Sequence, residues 1–153
     1  MKMRVLWVGK TQEEWLRRAI DDYAGRIRRS LPLEIVEARE EKGVPCETVR
    51  EREGERLARL VPRNAQIVLL DERGEEMTSP EFARFLGRCR DSGLSVLMFA
   101  IGGPFGFGET FRQQADRVIA LSRMTFTHQM ARVFLLEQIY RGLAILNNEP
   151  YHH

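Results

Sequence analysis

LSVLMFAIGGPFGFGET, Leu94 to Thr110, decides the fold. An apolar run of strand length ends in four glycines within seven residues, Gly102, Gly103, Gly106 and Gly108, and a short helical signal opens at Glu109. Strand, glycine loop and helix in that order form the junction at which parallel α/β sheets receive ligands. From Gly103 the letters G-P-F-G-F-G-E-T keep the spacing of the phosphate-cradling G-x-x-x-x-G-K-[ST] loop, but Glu109 stands where the lysine belongs. A carboxylate there reverses the electrostatics that phosphate needs. The bare backbone is therefore expected to meet a neutral or cationic ligand. An adenosine without phosphates, carrying a positive sulfonium, has that chemistry.

Outward from this stretch the hydrophobic period alternates between two and 3.6. Met3 to Val8 reads as a buried strand, and Thr11 with Glu14 as the capping box of a helix. That helix places Trp15, Leu16, Ala19, Ile20, Tyr23, Ala24 and Ile27 on one stripe, and Leu31-Pro32 closes it. Leu33 to Ala38 is a second strand. A charged loop, Arg39 to Pro45, precedes a polar helix with Val49, Leu57 and Leu60, expected to be the least buried. Gln66 to Leu70 is a third strand that stops at the turn signal Asp71-Glu72-Arg73-Gly74. Ser79 and Pro80 supply an N-cap and first-turn proline to a helix carrying Phe82, Phe85, Leu86 and Cys89. After the glycine loop, Val118 to Leu121 is a fifth strand, and the longest helix runs from His128 to about Asn147. Strands alternating with helices, and near-continuous apolar strands, predict an α/β fold with a parallel sheet covered on both faces. Three loops, Asp71–Gly74, Gly102–Gly108 and Ser122–Thr127, leave carboxyl ends of strands and converge if those strands are neighbours.

Composition bounds the rest. The 153 residues make one domain, and 43% hydrophobic with 30% charged residues is ordinary for a globular protein. No apolar run approaches a membrane span, and MKMRVLWVGK lacks a secretory core, so a cytoplasmic location is expected. Cys46 and Cys89 show no C-x-x-C pairing and read as structural thiols of a reducing compartment. A net charge of +2 announces no nucleic-acid binder; any basic surface is local, as at Arg26, Arg28 and Arg29. A dinucleotide fingerprint fails because Phe111 stands where the third glycine belongs. His128, His152 and His153 have no metal-ligand spacing, so no metal is expected, and no G-x-S-x-G elbow is present.

LDERG at Leu70–Gly74, FAIGGPFG at Phe99–Gly106, LSRMTFTHQMARVFLLEQIYR at Leu121–Arg141 and EPYHH at the end together resemble the RlmH family, once called YbeA-like, of the SPOUT superfamily, over essentially the whole chain. The resemblance implies a cytoplasmic homodimer that uses S-adenosyl-L-methionine to methylate N3 of a pseudouridine in large-subunit (23S) ribosomal RNA, free or in the assembled ribosome. It implies a trefoil knot in the C-terminal part, about residues 66–153, with the cofactor held by Leu70, Gly102, Leu121, Ser122, Arg123, Met124, Thr125 and Phe126. Two departures are visible: Thr127 replaces the family's proline before His128, and His153 stands where a lysine or arginine is usual. Thr127 is a sound helix N-cap.

A sulfonium methyl group is already activated, so the protein need only align it and help remove the N3 proton. Candidates for that help are His152 and Tyr151 in the tail after Pro150, expected to be extended and free, and His128, which also suits a structural cap. Arg132, Arg141 and His153 are candidate RNA contacts. The apolar positions of the last helix, Val133, Phe134, Leu136, Ile139, Tyr140 and Leu143 among them, exceed one stripe and predict a partner subunit. Two alternatives stay open: a methyltransferase of transfer RNA or another ribosomal base, and a non-enzymatic ribosome-binding factor.

Overall fold

A computed structural model describes residues 1–153. Its elements are β1 (Lys2–Val8), α1 (Glu14–Arg28), β2 (Leu33–Ala38), α2 (Cys46–Arg59), β3 (Ala65–Glu76), α3 (Ser79–Asp91), β4 (Val96–Ile101), α4 (Glu109–Arg112), β5 (Arg117–Ala120) and α5 (His128–Leu146). The strands form one five-stranded sheet in the order β2-β1-β4-β3-β5, every pair parallel. Parallel strands bury both faces, and the side chains divide by the two-residue period. Met3, Val5 and Trp7 of β1 with Leu97, Phe99 and Ile101 of β4 join the core under α1, α3 and α5. Leu6 and Val8 with Met98 and Ala100 join the opposite core, where Leu57 of α2 and Phe111 at α4 close the layer. The three strands whose loops were expected to converge, β4, β3 and β5, are neighbours.

Helix α5 lies between α1 and α3 and buries Leu135, Leu136, Ile139 and Leu143, each worth about 2 kcal/mol when removed from water. Its Phe134 stays 38% exposed and stacks on Phe126 with ring centroids 4.8 Å apart. Thr127 caps the helix by accepting the Met130 N–H.

Local signals were overruled where tertiary partners were better. The Thr11–Glu14 capping box does not form: α1 starts at Glu14 behind an uncapped Glu13, and Thr11 is buried, its hydroxyl accepting from Arg132 at 2.8 Å. The α1 stripe narrows to Leu16, Ile20, Ala24 and Ile27, while Trp15 is 54% exposed. Thr78, not Ser79, caps α3, in a capping box with Glu81, because Ser79 donates its hydroxyl to Gln138. Asp71–Gly74 is no chain-reversing turn: β3 continues to Glu76 through a bulge, with Leu70 and Glu75 both opposite Ile119 of β5. Gly74 permits that crossing, since a Cβ there would lie 2.7 Å from the Ile119 backbone. Helix α2 is not the least buried: Val49, Glu53, Gly54 and Leu57 are buried, as many residues as in α1. Cys89 is buried as expected of a packing thiol, whereas Cys46 is exposed.

Arg132 corrects the sequence expectation most directly. The proposed RNA contact is 0% exposed, donating to the Val8 carbonyl at 2.6 Å and to Thr11 Oγ1, with its guanidinium over the Trp7 ring at 4.9 Å. Burial pushes its pKa down to about 10, with Glu37 and Glu40 opposing, and leaves it charged at neutral pH. Arg132→Ala removes two hydrogen bonds and leaves the Val8 carbonyl unpaired. The expected loss is roughly 3 kcal/mol, a fall in Tm of about 6–12 °C for a chain of this size, with Arg132→Lys intermediate. Thermal unfolding followed by circular dichroism checks it; an unchanged Tm would show that the buried guanidinium holds nothing together.

Candidate functional site

An open crevice of about 720 Å³ lies over the carboxyl ends of β3, β4 and β5. The β3 bulge, the glycine loop and the segment 121–127 form its walls, and α5 enters it at His128. Of the residues the resemblance assigns to the cofactor, Leu70, Gly102, Leu121, Ser122, Met124, Thr125 and Phe126 line this space together. Arg123 does not; its side chain is 84% exposed and paired with Glu76 at 2.8 Å.

Each wall is held by identifiable bonds. In the 121–127 segment, Ser122 Oγ accepts the Met124 N–H at 3.0 Å, and Thr125 donates its hydroxyl to Glu72 across the crevice. In the bulge, Asp71 accepts the Arg73 N–H at 2.8 Å and the Arg112 guanidinium at 2.6 Å. Burial pushes the Asp71 carboxyl up, but these donors outweigh it and hold its pKa below the ordinary value. In the sequence Asp71 reads as part of a turn and of a converging loop and Arg112 carries no role, because nothing local marks a pair 41 residues apart.

The glycine loop is shaped by the protein before any ligand. A Cβ at Gly102 would come within 3.0–3.2 Å of the Gly106 backbone, and one at Gly108 within 3.2 Å of the Arg50 backbone. Gly106 has a φ of +75°, the left-handed conformation that favours glycine. The loop therefore folds tightly on itself and against α2, with Gly102 and Gly106 also lining the crevice.

The charge of the crevice is distinctive. Asp71 and Glu72 line it, Arg73 is its one arginine, and no lysine is present. Glu109 is exposed at the first position of α4. His128 is half-buried, and burial followed by the Arg132 charge holds its pKa below the ordinary histidine value. At neutral pH it is an uncharged imidazole, able to accept a proton.

The tail residues sit elsewhere, and they are not free. Tyr151 donates its hydroxyl to Glu137 at 3.0 Å and packs its ring against Tyr140, centroids 4.6 Å apart. Arg141 donates to Glu137 at 2.6 Å and to His152 Nδ1 at 3.1 Å, with its guanidinium over the Tyr151 ring. Glu137 lies nine residues along α5 from His128, roughly 14 Å at ~1.5 Å per residue, so Tyr151 and His152 do not share their own chain's crevice with His128. His153 is exposed at the chain end.

A smaller apolar cavity of about 230 Å³ adjoins the crevice and shares Leu121 and Phe126 with it, with Phe134 and Phe82 as further walls. No group of three or more potential metal ligands occurs in the structure, and no helix is long and apolar enough to cross a membrane.

Comparison with known proteins places this geometry. The family described as "Predicted SPOUT methyltransferase" matches residues 1–152. A Geobacter metallireducens protein named Ribosomal RNA large subunit methyltransferase H is 68% identical over 153 residues, covering 100% of this chain and 99% of that protein. A protein of the same name from Geobacter sulfurreducens is 67% identical, covering 100% of both. Among solved structures, the SpoU methyltransferase AviRb from Streptomyces viridochromogenes, in complex with the cofactor AdoMet, aligns at a TM-score of 0.47 and 15% identity, over 92% of this chain and 57% of that one. A family match over nearly every residue, with full-length relatives at this identity, leaves one assignment: the chain belongs to the SPOUT methyltransferase family.

Proposed function

We propose that this chain is an S-adenosyl-L-methionine-dependent methyltransferase acting on large-subunit ribosomal RNA, with N3 of a pseudouridine as acceptor and a cytoplasmic homodimer as the working form. The observation that carries the reading is the crevice: three loops at the carboxyl ends of adjacent parallel strands, acidic on the bulge side, apolar around Leu121 and Phe126, and without lysine. Such a lining suits a cationic, phosphate-free adenosine and opposes a nucleoside triphosphate. The names of the full-length relatives support ribosomal RNA as the acceptor. The exposed Phe126–Phe134 pair and the adjoining apolar cavity support a second copy as cover for α5. The same family resemblance carries the trefoil knot.

When bound, the sulfonium supplies a methyl group already activated for transfer. The chain's own residues then have three tasks. The backbone around Gly102 and Leu121 would hold the adenosine end. Glu72 would offer a carboxylate to the sulfonium, while Asp71, kept ionised by the Arg73 N–H and Arg112, would hold the bulge in shape. His128, neutral at physiological pH, is the imidazole in the crevice that would take the imino proton from N3. Tyr151 and His152, held on α5 by Glu137 and Arg141, would act in the crevice of a second copy.

Calorimetry tests the ligand class: S-adenosylhomocysteine is expected to bind and ATP, with or without magnesium, to bind at least tenfold more weakly, about 1.4 kcal/mol. Tighter binding of ATP would overturn the assignment. Gly102→Val should lower that affinity sharply, and because its branch meets the Gly106 backbone it should also lower Tm by a few degrees, about 1–2 kcal/mol. Unchanged affinity would remove the loop from the site.

Deletion of Tyr151–His153 tests the tail. Methyl transfer to ribosomes, read by mass spectrometry of the RNA, should be lost while S-adenosylhomocysteine affinity and the dimer, read by light scattering, persist. Near-normal transfer would confine the active site to the three loops and His128.

A further inference from the structure

One buried charged side chain near the crevice has no place in the chemistry above. Glu53, in the middle of α2, is 2% exposed. Its Oε2 accepts the Glu41 N–H at 3.1 Å, and its Oε1 has no hydrogen-bond partner. The free oxygen is directed at the glycine loop, where a Cβ on Gly103 would lie 2.9 Å from it. On either side the same helix supports the loop and its helix: Arg50 backbone against Gly108, and Gly54 against Phe111. Arg50, Glu53 and Gly54 lie at i, i+3 and i+4, on one face of α2, and that face is the floor beneath the glycine loop.

An acceptor held out of water without a donor costs free energy, and such an atom calls for a state in which the donor arrives. The backbone that Oε1 faces is the backbone that lines the crevice on its other side. We propose that Glu53 is a positioning residue for cofactor binding: when the glycine loop settles on a bound ligand, Oε1 accepts a backbone N–H of the loop and fixes it in the binding conformation. The inference rests on the cofactor reading above and assigns Glu53 no contact with the ligand.

A charge dependence follows. The charged groups facing Glu53 are Glu40 and Glu41 from the segment before α2 and Arg56 on α2 itself; the loop Gly102–Gly108 brings none. Burial, reinforced by Glu40 and Glu41 and opposed by the Glu41 N–H and Arg56, raises the Glu53 pKa. Accepting a backbone N–H favours the ionised form, so binding draws the pKa down and releases a proton. Affinity therefore rises with pH through the Glu53 titration. His128 titrates in the same crevice, so the ratio of variant to wild-type affinity isolates Glu53.

The test is S-adenosylhomocysteine binding by calorimetry for the full-length protein and Glu53→Gln, from about pH 5 to about pH 8, with melting followed at each pH. Glutamine keeps the shape and cannot ionise. The variant is expected to bind about tenfold more weakly near pH 8, the worth of one hydrogen bond to a charged acceptor, and to approach wild type as the pH falls through the Glu53 titration. Its Tm near pH 8 should stay close to wild type, since the amide oxygen can still accept the Glu41 N–H and a buried charge with one unpaired oxygen has been removed. Gly103→Ala, whose Cβ displaces Oε1, should weaken binding alone, and Glu53→Gln should add less in that background than by itself. If Glu53→Gln folds poorly, Gly103→Ala alone keeps the proposal falsifiable, since unchanged affinity in that variant overturns it. A ratio near one throughout, or a loss equal at every pH, overturns the proposal while leaving the cofactor reading intact. Failure of the wild-type protein to bind S-adenosylhomocysteine overturns the cofactor reading and this inference with it.

Discussion

The geometry on the α5 side of the crevice depends on one buried guanidinium. Arg132 reaches from the first turns of α5 to the carbonyl of Val8, the last residue of β1, and to Thr11 just beyond it. That fork ties the longest helix to a strand more than 120 residues away in sequence, at the carboxyl end of the sheet, where the crevice opens. A lysine could not make the same bidentate contact while lying flat over the Trp7 ring. The Nε of Arg132 has no partner and the desolvation of a cation is large, so the arrangement is kept for the position it fixes more than for net stability. His128 lies one helical turn before Arg132 and owes its position to that anchor. It also owes part of its neutrality to it, because the buried positive charge adds to desolvation in disfavouring the imidazolium.

The opposite wall is fixed by close packing instead of charge. Gly103 and Gly108 are glycines because α2 occupies the space that a side chain would need, and Gly102 because the loop returns on itself at Gly106. The openness of the loop toward the crevice is thus a by-product of its tightness toward α2. This reverses the sequence argument, in which glycines were required so that a ligand could approach. Both hold at once: a backbone stripped of side chains by packing on one side presents N–H and C=O groups on the other.

What the sequence made legible is what period and punctuation encode. All five strands and all five helices appear in the expected order, and β2 matches residue for residue; the near-continuous apolar runs of β1 and β4 leave little ambiguity in a parallel sheet. The failures share a cause. Thr11 and Ser79 looked like caps, but a distant arginine and a distant glutamine were better partners for their hydroxyls. Asp71–Gly74 looked like a turn because sequence cannot show that Glu75 and Glu76 rejoin β5 after a register slip. Arg132 looked like a surface cation, since charge predicts exposure unless a carbonyl and an aromatic ring wait inside. The three loops were legible as a set because they leave strand ends, and the individual crevice residues only through the family resemblance; Arg112 and Glu53 were not legible, because their partners are long-range. The adjacent Glu53-Gly54 pair, where small size meets charge at one turn of a polar helix, was the only available hint.

The placement of titratable groups along α5 constrains how any proton leaves the acceptor. The helix brings His128 into the crevice at its start and binds Tyr151 and His152 near its middle through Glu137 and Arg141. Burial and the hydrogen bonds to Tyr23 and Glu137 raise the Tyr151 pKa, so that hydroxyl stays protonated and acts as a donor, not a base. His152 Nδ1 accepts from Arg141, which in a neutral ring places the proton on Nε2. Within one chain, then, a base bound over the crevice meets a single uncharged imidazole, while a fixed cluster of arginine, tyrosine and histidine is displayed elsewhere on the same rigid helix. A helix cannot bend these two ends together. A second copy docked over the exposed Phe126–Phe134 pair would supply the missing side of the site, which makes assembly a condition of chemistry in the proposed homodimer and not merely of stability.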